Sequence, residues 1–408
     1  MSRLYFTYKG RFTLQDFLNL LVTVFLFMAF MNFVTRNYYW LFFAFAFFAI
    51  TPKRTVMLNF SVLFLLILGV SMLIFDPSSR NSVTNILKPF VFFMAYTIGT
   101  GLVSDVDDGQ AAALRVEKII YTCALGFFAH YLLNFISNAG SLQRNTIDFW
   151  TNEILSATGQ ASLACICVAV AIADLFSNTT IKRRITAVVL LIVVIAYNLI
   201  LAGRTLLLLI AILFLFALTF RSIYYKKTAI KSVLVTIVLL TILLVLYNLD
   251  VFNIKSTIEE SNFYLRFFGK GGFDITEDPR FEYKQLYLEH LWEYPFGGLH
   301  IRTMYSHYAH DLYLDTYDQY GVVVFMATVA YIISSIIRLI KALRHPMLSF
   351  RTKQLVLCIY VLLNIQFWLE PVMAGMPFLL VAYCLIDGVM SRFLANQSRY
   401  AYASGGDV

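Results

Sequence analysis

Apolar runs of roughly bilayer-spanning length alternate with short polar breaks along most of this 408-residue chain. A run of about 20 apolar residues crosses the hydrocarbon layer as a helix, because only intrahelical hydrogen bonds satisfy the backbone there. The pattern predicts helices over 14–34, 38–50, 56–75, 86–103, 119–137, 158–176, 185–201, 205–220, 230–249, 319–340, 353–369 and 371–391. The second is short and the last two nearly touch, so the pattern allows ten to twelve. The expected fold class is all-α, a polytopic transmembrane helix bundle of about 12 helices. The chain then divides into helices one to nine (1–249), one long polar segment (250–318), and helices ten to twelve with the C-terminus (319–408). Arg3, Lys9 and Arg11 precede the first run as in a signal peptide, but no small-residue cleavage site follows, so the run is read as a retained helix.

The long polar segment carries its own helix signal, "TEDPRFEYKQLYLEHLWEYP" at 276–295. Asp278 suits an N-cap and Pro279 the first helical position. Glu282, Glu289 and Glu293 share one face, and Pro295 with Gly297 and Gly298 ends the run. The spacing predicts about four helical turns over 279–294, lying across the mouth of the bundle or on the membrane surface. Next comes "SHYAHDLYLDTYDQYG" (306–321), with two histidines, three aspartates and four tyrosines, directly before an apolar span.

Composition agrees with the pattern. The chain is 60% hydrophobic and 14% charged, against about 45–50% and 25% in soluble domains. The formal charge of +8 follows topology rather than nucleic acid: the basic loops are short and carry no nucleic-acid-binding motif. With the N-terminus in the cytoplasm, 21 Lys and Arg fall inside and 11 outside, six of those in the long loop. The five cysteines all lie in apolar runs, which predicts packing rather than disulfide or thiol chemistry.

Polar residues within spans are costly, so their placement carries information. Lys88, His130, Asn134, Gln160, Asn198, Arg204, Asn364, Gln366 and Glu370 fall toward the predicted outer side. That pattern predicts a cavity open outward rather than a path through the midplane. Arg204 stands at a tight hairpin between two apolar helices, Lys88 ("NILKPF") at a similar level, and Arg280 opens the loop helix. Arg and helix N-termini both suit phosphate.

Three elements in order carry a family resemblance: an Arg at a helix end ("AGRTLLLL"), an Arg opening a helix in a long outer loop ("DPRFEYKQLYLEHLWEYPFGG"), and a His before the next span ("HDLYL"). This order resembles the O-antigen ligase and polymerase superfamily of bacterial envelope glycosyltransferases. Its motifs lie within about 203–321. The family's His-Asn pair appears here as His310 and Asp311, with Leu314 kept. An ionised Asp311 would raise the pKa of His310 and repel a diphosphate.

The resemblance implies metal-independent transfer of a glycan from undecaprenyl diphosphate to a sugar hydroxyl, on the outer face of the cytoplasmic membrane, without a cofactor. His310 is then the expected base. Arg204, Arg280 and Lys88 are the expected diphosphate ligands. Asp311, Trp292, Tyr313, His307 and Glu370 are weaker candidates for sugar and acceptor binding, and Tyr308 for stacking. Membrane lipid, a flippase and a chain-length regulator are the implied partners. Polymerase is preferred; ligase-type transfer to a terminal acceptor uses the same donor chemistry. The rivals are a divalent cation on His307, His310 and Asp311 with Asp315 and Asp318, a lipid-oligosaccharide transporter, and a non-catalytic scaffold. The bland alternative for 306–321 is a solvated helix start.

Overall fold

A computed structural model describes residues 13–404, except 36, 52–53, 76–85, 105–108, 140–144, 178, 202 and 204; within 226–278 it describes only 248, 259 and 264. The protein is an all-α membrane protein. Among the described residues the α-helices before 226 are α1 (Leu14–Phe30), α2 (Asn37–Ile50), α3 (Phe60–Phe75), α4 (Val91–Leu102), α5 (Gly109–Ser137), α6 (Ala157–Phe176), α7 (Ile181–Ile200) and α8 (Thr205–Tyr224). After 278 come α9 (Pro279–Glu289), α10 (His300–Tyr305), α11 (Leu312–Tyr320), α12 (Val322–Arg344), α13 (Phe350–Leu369), α14 (Val372–Gly375) and α15 (Pro377–Ser404). Among the described residues, seven helices are long and apolar enough to cross a membrane: α5, α6, α7, α8, α12, α13 and α15. The predicted helix over 230–249 lies outside the described residues.

α6, α13 and α15 form the buried centre, whereas α7 and α8 leave most of their surface outward. α6 is rich in Ala, Ser, Cys and Gly, and such small residues let helix backbones approach when no water drives them together. Backbone meets backbone closely where α4 packs on α15. A Cβ on Gly99 would sit 2.2 Å from the Leu385 carbonyl oxygen, and one on Gly388 would sit 2.2 Å from the Tyr96 carbonyl oxygen. α1 starts on a capping box, with Thr13 and Asp16 satisfying each other's backbone N–H.

Polar groups concentrate at the two ends of the bundle. At one end Arg351 on α13 reaches Glu117 (2.6 Å), Asp174 (3.1 Å) and the Tyr121 hydroxyl (2.5 Å). At the other lie the α9–α11 layer and a hairpin of two short strands, β1 (Thr146–Ile147) and β2 (Ile154–Leu155), paired antiparallel between α5 and α6. A further ion pair among the described residues joins two spans, with its carboxylate fully buried. Arg338 on α12 holds Asp387 on α15 through two hydrogen bonds of 2.8 and 2.5 Å, and the Tyr360 hydroxyl donates to the same carboxylate at 3.0 Å. Arg338 falls within the predicted span 319–340, and α12 continues past that boundary to Arg344.

Several predicted boundaries shift, α5 for instance starting at Gly109 rather than 119, and two of the differences bear on the α9–α11 layer. The loop helix ends at Glu289 rather than 294, because its last turn tightens: the Glu293 N–H bonds back to the His290 carbonyl and His290 pairs with Glu293 at 3.0 Å. Glu293 therefore leaves the face it was expected to share with Glu282 and Glu289. The predicted span 319–340 is split at Gly321 into α11 and α12. Gly321 has φ 84° and ψ −178°, a region open essentially to glycine alone. A Cβ there would meet the Pro295 carbonyl oxygen at 2.6 Å, across a crossing where Val322 N–H bonds to that same oxygen at 2.8 Å. Gly321→Ala is expected to destabilise the protein by about 1–3 kcal/mol, read as a lowered thermal midpoint in detergent; an unchanged midpoint would mean the crossing relaxes freely.

Candidate functional site

The α9–α11 layer is built on one face of α9. Arg280, Tyr283, Lys284 and Tyr287 recur at helical spacing and turn inward. α13 ends at Leu369, so its last carbonyls lack intrahelical donors. Two cations from α9 supply them: Arg280 Nη1 bonds the Leu369 oxygen at 3.3 Å, and Lys284 Nζ bonds the Trp368 oxygen. Each cation also takes a carboxylate. Arg280 Nη1 lies 3.3 Å from Glu370 Oε1, and Lys284 Nζ lies 3.3 Å from Asp311 Oδ2. The Tyr283 ring stacks on His307 at 4.3 Å and lies near-parallel to His310 at 6.3 Å. The Tyr287 hydroxyl donates to the His307 carbonyl at 2.8 Å.

The aspartates of 306–321 are buried, which excludes a solvated helix start. Asp311 is the N-cap of α11: its Oδ1 accepts from the Tyr313 and Leu314 N–H groups at 2.8 and 3.2 Å, leaving Oδ2 for Lys284. The Asp315 carboxylate accepts from the Ala309 N–H at 3.0 Å. Asp318 accepts from the Ile301 and Arg302 N–H groups at 3.0 and 3.3 Å, which holds the start of α10. Burial raises all three carboxyl pKa values, Asp315 to about 7 with its neighbours Asp311 and Asp318 adding to the shift. His310 sits between these anchors with φ 54°, in the left-handed region, half-buried. Among the described residues no group of three or more His, Cys, Asp or Glu is arranged to hold a metal ion.

Beside this layer lies a polar cavity of about 480 Å³. Lys88, Arg302, Asn37, Tyr308 and Gln319 contribute to its wall. Lys88 enters from a single 3₁₀ turn (Lys88–Phe90) ahead of α4, with its ammonium 5.4 Å from the Tyr38 ring centre. The Arg302 guanidinium lies 3.8 Å over the Tyr308 ring and bonds its hydroxyl. Tyr308 in turn meets the His310 ring edge-on at 6.4 Å. Two cations on aromatic faces in one cavity have the charge that suits an anion.

The expected site residues therefore separate. Lys88 lines the cavity, and His310 adjoins it through Tyr308. Arg280, Glu370, Asp311 and His307 belong to the α9 contacts that position the layer. Tyr313 is buried and packed on Trp368 at 5.0 Å, and Trp292 stands 76% exposed in the turn after α9. Arg204 lies outside the described residues. Arg302 is the residue that sequence reasoning missed: it was one of six basic residues in the long loop, and its only local signal was the "GG" turn ahead of it.

Glu370 makes a testable pH signature. Burial raises its pKa to about 7, against the opposing pull of Arg280, Thr205 and Lys284. A carboxyl raised in the folded state binds more protons than in the unfolded state, so stability falls as pH rises from about 4.5 to about 7 and then levels. Asp315 adds a parallel contribution. Glu370→Gln is expected to flatten, but not abolish, the fall in thermal midpoint between pH 5 and 7.5; an identical slope would show that Glu370 does not titrate there. No protein-family model matches this chain, and no curated protein matches it.

Proposed function

We propose that this chain is a membrane glycosyltransferase of the kind its motifs resemble, a polysaccharide polymerase using an undecaprenyl-diphosphate-linked glycan as donor. The observation that carries the reading is the cavity in which Lys88 and Arg302 stand on tyrosine faces beside His310. In this reading twelve helices span the bacterial inner (cytoplasmic) membrane, and the α9–α11 end faces outward. The Arg351 end, with the basic loops, faces the cytoplasm.

The chemistry follows from the donor. The acceptor hydroxyl oxygen attacks the anomeric carbon as the bond from that carbon to the diphosphate oxygen breaks. The diphosphate leaves with the electron pair, and Lys88 and Arg302 neutralise the charge it gains. His310 takes the hydroxyl proton. Arg280 and Lys284 act through position: they fix the layer that carries His310 to the end of α13. Arg204 remains a proposed third diphosphate ligand. Asp311, neutralised by Lys284 and the α11 N-terminus, does not oppose the diphosphate as a free carboxylate would.

The test is a gel profile of surface glycan from a deletion strain complemented with wild type or His310→Ala. Single repeat units on the normal acceptor, without long chains, in both the deletion and His310→Ala mark a polymerase with His310 essential. Loss of all glycan from the acceptor with lipid-linked polymer accumulating marks a ligase instead. Full-length polymer in His310→Ala removes His310 from the chemistry, and an unchanged profile in the deletion removes the glycan reading altogether.

A further inference from the structure

A second cavity, of about 190 Å³, abuts the first: Asn37, Gly375 and Pro377 line both. It lies between α1, α5, α6, the β1–β2 hairpin and the α14–α15 turn. Its wall holds a buried pair. His130 Nε2 lies 2.7 Å from Asp148 Oδ2, with side chains 4% and 8% exposed. Burial alone would raise the Asp148 carboxyl, but His130 and the Thr151 and Trp150 N–H groups overcome this and hold it well below the usual range. The other imidazole nitrogen, Nδ1, is buried with no hydrogen-bond partner among the described residues.

Holding the hairpin does not require His130. Asn134 Oδ1 accepts the Phe149 N–H at 2.8 Å, Asn138 bonds both the N–H and the carbonyl of Ile147, and Gln160 donates to Thr146 at 2.9 Å. Asp148 Oδ1 caps the Trp150 and Thr151 N–H groups by itself. The ring is instead oriented by Asp148 with one nitrogen left over, beside a cavity whose polar rim includes Asn32, Thr151 and Glu153. Phe30, packed on Phe127 and on Phe378, supplies an apolar wall with them. A polar rim with one oriented heteroatom and an aromatic wall is what a sugar ring needs: hydroxyls at its edge, C–H groups on its face.

We propose that the His130 cavity is a sugar subsite, holding one ring of the glycan by a hydroxyl hydrogen bond to His130 Nδ1. The placement rests on the reading of the Lys88–Arg302 cavity as the diphosphate site, because the shared wall puts a sugar next to that diphosphate. Two sources supply such a ring: the sugar attached to the diphosphate, or the terminal sugar of the acceptor.

The test measures binding to the purified full-length protein in detergent by native mass spectrometry. Three probes are used: bare undecaprenyl diphosphate, the lipid-linked repeat unit, and the free repeat-unit oligosaccharide. The variants are His130→Gln and Thr151→Trp, the latter at an exposed rim position that blocks the cavity whether or not His130→Gln folds. Both are expected to weaken a sugar-bearing probe at least tenfold and to leave bare undecaprenyl diphosphate unchanged. Loss with the free oligosaccharide assigns the ring to the acceptor; loss confined to the lipid-linked unit assigns it to the donor. Unchanged affinity of Thr151→Trp for both sugar probes overturns the subsite. Failure of bare undecaprenyl diphosphate to bind wild type, or equal binding by wild type and Lys88→Ala, overturns the diphosphate reading instead.

Discussion

Arg302→Ala is expected to reduce glycan polymer formation by about 100-fold, the usual cost of removing one preorganised charge donor from a reacting site. The proposed role requires a guanidinium held in place before the substrate arrives, and the Tyr308 ring and hydroxyl hold it. The substitution leaves the local fold intact, because Asp318 anchors α10 through the backbone N–H groups of Ile301 and Arg302, not through the side chain. The thermal midpoint is therefore expected to stay near wild type while activity falls. Arg302→Lys keeps the charge but loses the planar fork and its stacking, and is expected to fall between the two. Lys88→Ala removes a point charge and is expected to cost less. The measurement is the ratio of polymer to lipid-linked repeat unit in membranes. Wild-type polymer in Arg302→Ala would remove the 480 Å³ cavity from the proposed chemistry.

Asp387→Ala is expected to be the most destabilising single change described, by about 3–5 kcal/mol. Asp387 is fully buried in α15 and takes both hydrogen bonds of Arg338. Removing it strands a guanidinium inside the bundle and also takes the acceptor from the Tyr360 hydroxyl. The pair itself is a weak source of stability, since desolvating two charges offsets most of their attraction. The double replacement Arg338→Met with Asp387→Leu is thus expected to recover most of the loss, which neither single change does. Thermal unfolding in detergent reads both effects. A wild-type midpoint for Asp387→Ala would mean that water or lipid headgroups reach Arg338.

The relation between the two cavities also bears on the weaker candidates. Trp292 and Phe296 stand outward, 76% and 73% exposed, on the turn beyond α9. Tyr313, with its ring against Trp368, has its phenol pushed up to about 12, first by burial and then by the Asp311 charge. None of the three lines the cavities that adjoin His310 or His130. Aromatic abundance in a chain with 38 Phe and 25 Tyr carries little information about any one ring.

What the sequence determined alone was the class of structure and the register of most helices. Hydrophobic length is a property of single segments, and the bilayer imposes it segment by segment. The Asn37–Ile50 and Ala157–Phe176 helices are read to within one residue, and the Pro279 start of α9 was legible from Pro at a first helical turn. The tertiary structure decided which polar residues share a cavity. Lys88 and Arg302 are 214 positions apart, and locally only the Gly297–Gly298 turn precedes Arg302. Asp311 was legible as a departure from His-Asn, but its use as a helix cap and Lys284 partner required α9 to fold across it. His130 and Asp148 meet only because the β1–β2 hairpin turns back on α5. Burial and pairing are set by long-range packing, and the same charged residue is a loop cation, a helix cap or a site ligand according to what the fold brings against it.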